Sequence, residues 1–237
     1  MAYFFCMPRK LLSNENIDAL SIDCLIFGFN DGRLDILLVK HALGISKGKW
    51  ALPGGWIQYN ESVNDAAKRV LNSLTGINNI YLEQLNVFGD VDRYPGKRVV
   101  TLAYYALVNE ENYSIIPGFT ASDVQWFSIH SIPDLPYDHK TIFQSGFKHI
   151  KHTVRHEPIG FNLLPRKFTL LKLQELYEAI LETKFDKSNF RRKFLKMNLV
   201  ELSSEKQKDV SHRAASLYQF DMNMYDQLKE KGFAFEL

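Results

Sequence analysis

Residues 55–77, GWIQYNESVNDAAKRVLNSLTGI, constrain the fold more than any other stretch of the chain. Val63, Ala66, Ala67, Val70, Leu71 and Leu74 recur at three- and four-residue steps, which gathers them on one face of a helix. Ser62 is placed to cap its start and Gly76 to end it, so the spacing predicts a helix over Val63–Thr75. Ser21–Phe29 and Leu34–Lys40 are β-compatible runs joined by Asn30-Asp31-Gly32-Arg33, whose residue types suit a hairpin turn. Further strands are expected at Leu82–Gly89, Arg98–Val108 and Val124–Ser128, and a second helix over Lys140–Thr153. The pattern is that of an α+β domain without internal repeats.

Composition narrows the class. With 46% hydrophobic residues and a net charge of +2, the chain does not read as disordered. No apolar run approaches the roughly 20 residues of a membrane span, and the start, MAYFFCMPRKLLSNEN, lacks the apolar region of a signal peptide. Two cysteines, Cys6 and Cys24, are too few for a disulfide framework and suit a reducing cytosol. The small net charge hides an asymmetry. Residues 1–158 hold 15 Lys and Arg against 16 Asp and Glu, whereas residues 159–237 hold 14 against 11. Within Lys184–Lys196 six basic residues face one acid, Asp186, a concentration expected of a nucleic-acid binder.

That basic stretch sits in a different pattern. Arg155–Arg166, with Pro158, Gly160 and Pro165, reads as a linker. Thr169 then caps a helical run with Leu170, Leu173, Leu176, Tyr177 and Ile180 on one face, and Thr183–Phe185 connects it to a second helix. In this second helix Asp186 is the N-cap and Phe190, Phe194 and Leu195 are expected to point inward. Two β-like segments follow, Leu199–Leu202 and Ser216–Phe220, separated by a polar stretch. Two helices and a long-tipped hairpin describe a winged helix-turn-helix, with a small α/β appendage as the plainer alternative. The expected division is residues 1–157 and 158–237.

Residues 55–77 resemble the Nudix box: Gly55, Glu61, Arg69, Leu71, Gly76 and Ile77 fall in its register, and Leu52-Pro53-Gly54-Gly55 precedes the helix as in that family. The resemblance implies a Nudix-like α+β sandwich. In the family the box glutamates hold Mg²⁺, which activates water against a diphosphate. The three positions where they belong are Val70, Ser73 and Leu74 here. Glu61 alone remains, and Asp65, Asp90 and Asp92 do not lie at the box spacing. The expectation is therefore a domain with no catalytic residues, no metal and no cofactor, which binds a ligand without turning it over. Candidate contacts are Trp50, Trp56, Gln58, Tyr59, Asn60, Glu61, Asp90, Asp92, Arg93 and Tyr94, aromatic and polar residues around the box and the facing Gly89–Lys97 segment. A neutral sugar needs such an aromatic platform and hydroxyl partners, while Arg69, Arg93, Lys97 and Arg98 can serve the phosphates of an ADP-ribose-like ligand.

The chain from about residue 15 onward resembles the Nudix-related transcriptional regulators, which join a Nudix-like sensor to a winged helix. That family includes NrtR-type repressors, which sense ADP-ribose, and AraR-type regulators of sugar use. The resemblance implies a homodimeric repressor on a pseudo-palindromic double-stranded operator, with arabinose as first choice of effector and ADP-ribose as second. In the second helix Lys187, Ser188, Asn189, Arg191, Arg192 and Lys193 are expected to meet DNA, since its N-terminal half enters the major groove in this motif. Lys206, Lys208, His212 and Arg213 between the β-segments, and Arg166 and Lys167 ahead of the first helix, are candidates for backbone contact. The rival classes are a divergent Nudix hydrolase and a sugar-binding module with no DNA role. His130, His139, His149, His152 and His156 have no metal-site spacing and default to the surface.

Overall fold

A computed structural model describes residues 19–207, 214–233 and 235. Strands β1 (Leu20–Asn30) and β2 (Arg33–His41) form the expected hairpin, and short strands β3 (Trp50–Ala51) and β4 (Gly54–Trp56) follow. After helix α1 (Val63–Thr75) come β5 (Glu83–Phe88), β6 (Val100–Val108) and β7 (Ala121–Ser128). All seven strands join one mixed sheet. One edge of β1 is taken by β6, parallel to it from Leu20 to Gly28. Its other edge is shared: β4 pairs over Ser21–Asp23 and β2 over Phe27–Asn30. Where those two partners diverge the sheet forks, and Asp23 stands at the fork.

Side chains alternate across β1 as a pleated strand requires. Ile22, Cys24 and Ile26 face α1, packing with Ala66, Ala67, Val70, Leu71 and Leu74. Leu25, Phe27 and Phe29 face the other side, where α2 (His139–His156) contributes Ile142, Ile150 and Val154. Helix α1 has the predicted ends: the Ser62 hydroxyl accepts from the Asp65 amide, and Gly76 closes it at φ 75°, a left-handed conformation that glycine adopts without strain.

A 3₁₀ turn, Pro158–Leu163, leads into α3 (Leu170–Leu181), α4 (Lys187–Met197), β8 (Val200–Lys206), β9 (Ser216–Phe220) and α5 (Met222–Glu230). β8 and β9 pair antiparallel, and Phe168 bridges to Tyr218 beside them. The caps read from the sequence are in place: Thr169 accepts from the Lys172 amide and Asp186 from the Asn189 amide.

Two expectations are corrected. Arg155–Arg166 is not a loose linker: α2 continues to His156, and Gly160, Phe161, Leu163 and Leu164 are buried. Proline sits at the start of the 3₁₀ turn, where a missing N–H costs nothing, so it begins structure there rather than breaking it. Leu195 is not inward either. It is 39% exposed, while Phe190 and Phe194, four residues apart, are buried. Five residues at 100° each turn Leu195 about 140° away from Phe190. Core packing is continuous from the α2 face of the sheet through Tyr177, Phe190 and Phe194. Helix α2 thus has its apolar face occupied within the chain.

Candidate functional site

The fork in the sheet opens onto a cavity of about 140 Å³. Its floor carries Asp23, His41, Arg93 and His139, and its wall Gly54, Gly55, Trp56, Tyr94 and Tyr137. A second depression of about 460 Å³, lined in part by Ser46, Lys49, Asp92, Pro95 and Asp138, shares Arg93 and Tyr137 with the first. The two compartments therefore adjoin at these two side chains.

The floor is a buried polar network. Arg93 donates from Nε and Nη2 to both oxygens of Asp138, at 2.9 and 2.8 Å, and from Nη2 to Asp23 Oδ2 at 3.3 Å. Thr101 donates its hydroxyl to the same Asp23 oxygen. The Leu52 amide donates to His139 Nδ1 at 3.1 Å, which leaves the ring proton on Nε2, 3.5 Å from Asp23 Oδ1. Burial pushes the Asp23 carboxyl up from its ordinary range, against the opposing pull of His139 and Arg93. Burial likewise holds both His139 and His41 below the usual imidazole range. Gly54 is required here, because a Cβ would come within 2.2 Å of Asp23 Oδ1.

The wall is aromatic. Trp56 meets Tyr94 edge-on at 5.7 Å, Tyr94 lies 4.9 Å from Tyr137, and Tyr137 lies 5.4 Å from His139. Lys97 sits over the Trp56 ring at 5.5 Å. Tyr137 is held at φ 57°, a strained conformation for a residue with a side chain, and the Ser46 hydroxyl donates to its phenol oxygen at 2.7 Å. The wall thus offers aromatic rings for stacking, while the floor's guanidinium is 4% exposed and held by Asp23 and Asp138.

Among the residues singled out from the sequence, Trp56, Arg93 and Tyr94 line the cavity and Asp92 the adjoining depression. The others sit elsewhere. Trp50 packs edge-on against Phe127 at 4.8 Å, because β3 pairs with β2 and turns the ring onto the α2 side of the sheet. Gln58, Tyr59 and Asn60 are exposed on the loop, and Asp90 offers its carbonyl oxygen to Arg98. Glu61 is engaged by a two-pronged bond from Arg69, at 2.7 and 2.6 Å, which holds its carboxyl down to about 2. The residues that sequence reasoning missed are Asp23, His41, Tyr137, Asp138 and, as a site residue, His139. Asp23 did leave a trace, a carboxylate inside the apolar run Ser21–Phe29.

The box positions do not fit a metal. Val70 is 2% exposed and lies beneath Gly55, where an added Cβ would meet it at 3.2 Å; Leu74 is buried, and Ser73 donates its hydroxyl to the Val70 carbonyl. With Glu61 committed to Arg69, no cluster of three or more metal-binding side chains occurs among the described residues.

The basic helix has the opposite character. On α4, Lys187, Ser188, Asn189, Arg191, Arg192 and Lys193 are all exposed, and Arg192 donates to the Asn189 side-chain oxygen at 2.7 Å. Arg166 and Lys206 are exposed nearby, whereas Lys167 is paired with Glu205 at 2.6 Å. Lys208, His212 and Arg213 lie outside the described residues. Among the described residues no helix is long and apolar enough to cross a membrane.

Comparisons with known proteins follow the same two regions. The NUDIX domain family matches residues 18–145, and the NrtR DNA-binding winged helix domain family matches residues 160–220. The chain is 33% identical over 211 residues to the ADPR responsive transcriptional repressor NtrR of Acinetobacter baylyi, covering 87% of this chain and 84% of that one. It is similar to the crystal structure of Shewanella oneidensis NrtR complexed with a 27mer DNA, with TM-score 0.75, 26% identity, and 91% of this chain and 97% of that one covered. The NUDIX domain of the same Shewanella protein, in a cocrystal with ADP ribose, aligns with TM-score 0.54 and 27% identity over 57% of this chain and 90% of that one.

Proposed function

Because the chain belongs to the Nudix-domain transcriptional regulators of the NrtR type, we propose that it is an ADP-ribose-responsive repressor that binds its operator as a homodimer and does not hydrolyse its effector. The observation that carries the effector is the pair of adjoining compartments that share Arg93 and Tyr137, with the Trp56–Tyr94–Tyr137 rings along one of them. A monosaccharide would leave one compartment empty and give the guanidinium no anion. A dinucleotide-like ligand is long enough to occupy both and brings its diphosphate to the shared Arg93. The relatives' effector, ADP-ribose, supports this reading over arabinose, which the sequence put first.

DNA recognition falls to α4. Its N-terminal half presents Ser188, Asn189, Arg191 and Arg192 for base edges and Lys187 and Lys193 for phosphates, with Arg166 and Lys206 as flanking contacts. Lys167 contributes only if Glu205 releases it. A homodimer follows from arithmetic: one small winged helix reads too few base pairs for useful specificity. The apolar filling at Val70 and Leu74 supports the absence of turnover.

The test is fluorescence anisotropy with a labelled duplex from upstream of the protein's own gene. A specific complex that weakens with rising salt and is dissolved by ADP-ribose but not by arabinose is expected. Dissolution by arabinose alone, or Mg²⁺-dependent cleavage of ADP-ribose, would sink the proposal.

A further inference from the structure

Helix α2 is fastened at both ends, and to different parts of the molecule. At its start, Asp138 occupies the N-cap position, yet its carboxylate makes no bond to the helix's own amides. Both of its oxygens are instead given to Arg93, which lines the cavity. His139, the next residue, is held by the Leu52 amide. Along the helix, Gly146 lies so close to the sheet that a Cβ would come within 2.6 Å of Leu25. At the far end Lys151 pairs with Glu182, the C-cap residue of α3, and Val154 packs beneath Gly160 of the 3₁₀ turn. Helix α3 in turn packs on α4 through Tyr177, Phe190 and Phe194. Asp138 and Lys151 stand 13 residues apart, so about 20 Å of helix at 1.5 Å per residue separates the two fastenings.

We propose that Asp138 is a positioning residue that reports ligand occupancy to the winged helix: the diphosphate of the effector competes with Asp138 for the Arg93 guanidinium, and the released end of α2 shifts the helix on which α3 and α4 rest. This rests on the effector reading above and adds to it the route. The physical basis is that one guanidinium fork serves a carboxylate or a phosphate in the same geometry, but not both at full strength. Asp23 keeps its own bond from Thr101, so the exchange falls on Asp138, the carboxylate at the start of α2. Coupling then needs no contact between ligand and DNA-binding domain, only different preferences for two placements of one helix.

The experiment uses the full chain with Asp138→Ala and Asp138→Asn, ADP-ribose as probe, and three readouts: thermal melting, ADP-ribose affinity by calorimetry, and operator affinity with and without ADP-ribose. In the wild type the ratio of the two operator affinities should lie at about 5–150, the usual range for coupled sites. Both variants should bind ADP-ribose more tightly than the wild type, because the competitor is gone, and their ratio should fall toward 1. A purely structural role would lower melting and leave the ratio unchanged. If Asp138→Ala fails to fold, Asp138→Asn decides, since it keeps the volume and removes the charge. A wild-type ratio in a variant that still binds ADP-ribose overturns the proposal. If the wild type does not bind ADP-ribose at all, the effector reading falls. Operator affinity of the ligand-free variants then judges Asp138: a value equal to wild type overturns the positioning role, and an altered one retains it.

Discussion

Helices α1 and α4 are built alike and used in opposite ways. Both are capped by a side-chain oxygen at the N-terminus, Ser62 in one and Asp186 in the other, and both bury one face. In α1 the stripe is wide: Ala66, Ala67, Val70, Leu71 and Leu74 are all buried, and they include two of the three positions where the Nudix family carries metal-binding glutamate. In α4 only Phe190 and Phe194 are buried, which leaves a broad face of Lys, Arg, Ser and Asn to solvent. The contrast is one of solvent access. Buried charge is costly unless it is paired, and on this face of α1 apolar side chains at Val70 and Leu74 pack instead. A surface that needs exposed charge costs little, so it stays free to read a polyanion.

Three outcomes would break or sharpen that contrast. The largest effect is expected from Val70→Glu. A carboxylate placed beneath Gly55 has neither water nor a cation, and its burial should cost about 3 kcal/mol or more of stability by denaturant melting. Unchanged stability would mean that the helix face still tolerates the charge of an enzyme. Next is Arg191→Ala, expected to weaken operator binding by about 1–3 kcal/mol while shifting folding stability by no more than about 0.5 kcal/mol, since the side chain is exposed. A fall in stability as large as that of Val70→Glu would make the α4 surface structural.

The smallest effect concerns the one box carboxylate that survives. The Arg69 guanidinium holds Glu61 down to about 2 from an ordinary 4.5. Its folded value lies below its unfolded one, so the stability from this pair is fully present above about pH 4.5 and lost as pH falls toward 2. Carbon-detected NMR of the glutamate carboxyl should show this midpoint, and Arg69→Ala should return it toward the ordinary range. A normal midpoint in the wild type would mean that Glu61 is free for a ligand or metal after all.

Much of this was legible in local sequence. The bounds of α1 were read to the residue, because a 3.6-residue period with a serine before it and a glycine after it admits few alternatives. The caps at Thr169 and Asp186 were legible for the same reason. The 3₁₀ turn at Pro158–Leu163 was not, since proline and glycine mark a break in a pattern equally well in loops and at the starts of short helices. Leu195 was misplaced because the helical period that brings Phe190 and Phe194 together was stretched to a residue that lies about 100° further round.

The cavity floor lay beyond reach on other grounds. Arg93 stands 70 residues from Asp23 and 45 from Asp138, and the bonds that bring them together depend on a sheet that forks and a helix that lands on the fork. The two modules, the apolar residues at the box positions and the basic face of α4 could all be read along the chain. All of these are properties of spacing and residue type along one element. Which side chains share the cavity, and that its arginine grips the helix on which α3 packs, emerged from the folded chain alone. Those depend on where separate elements meet, and burial of apolar faces sets that meeting without leaving a period in the chain.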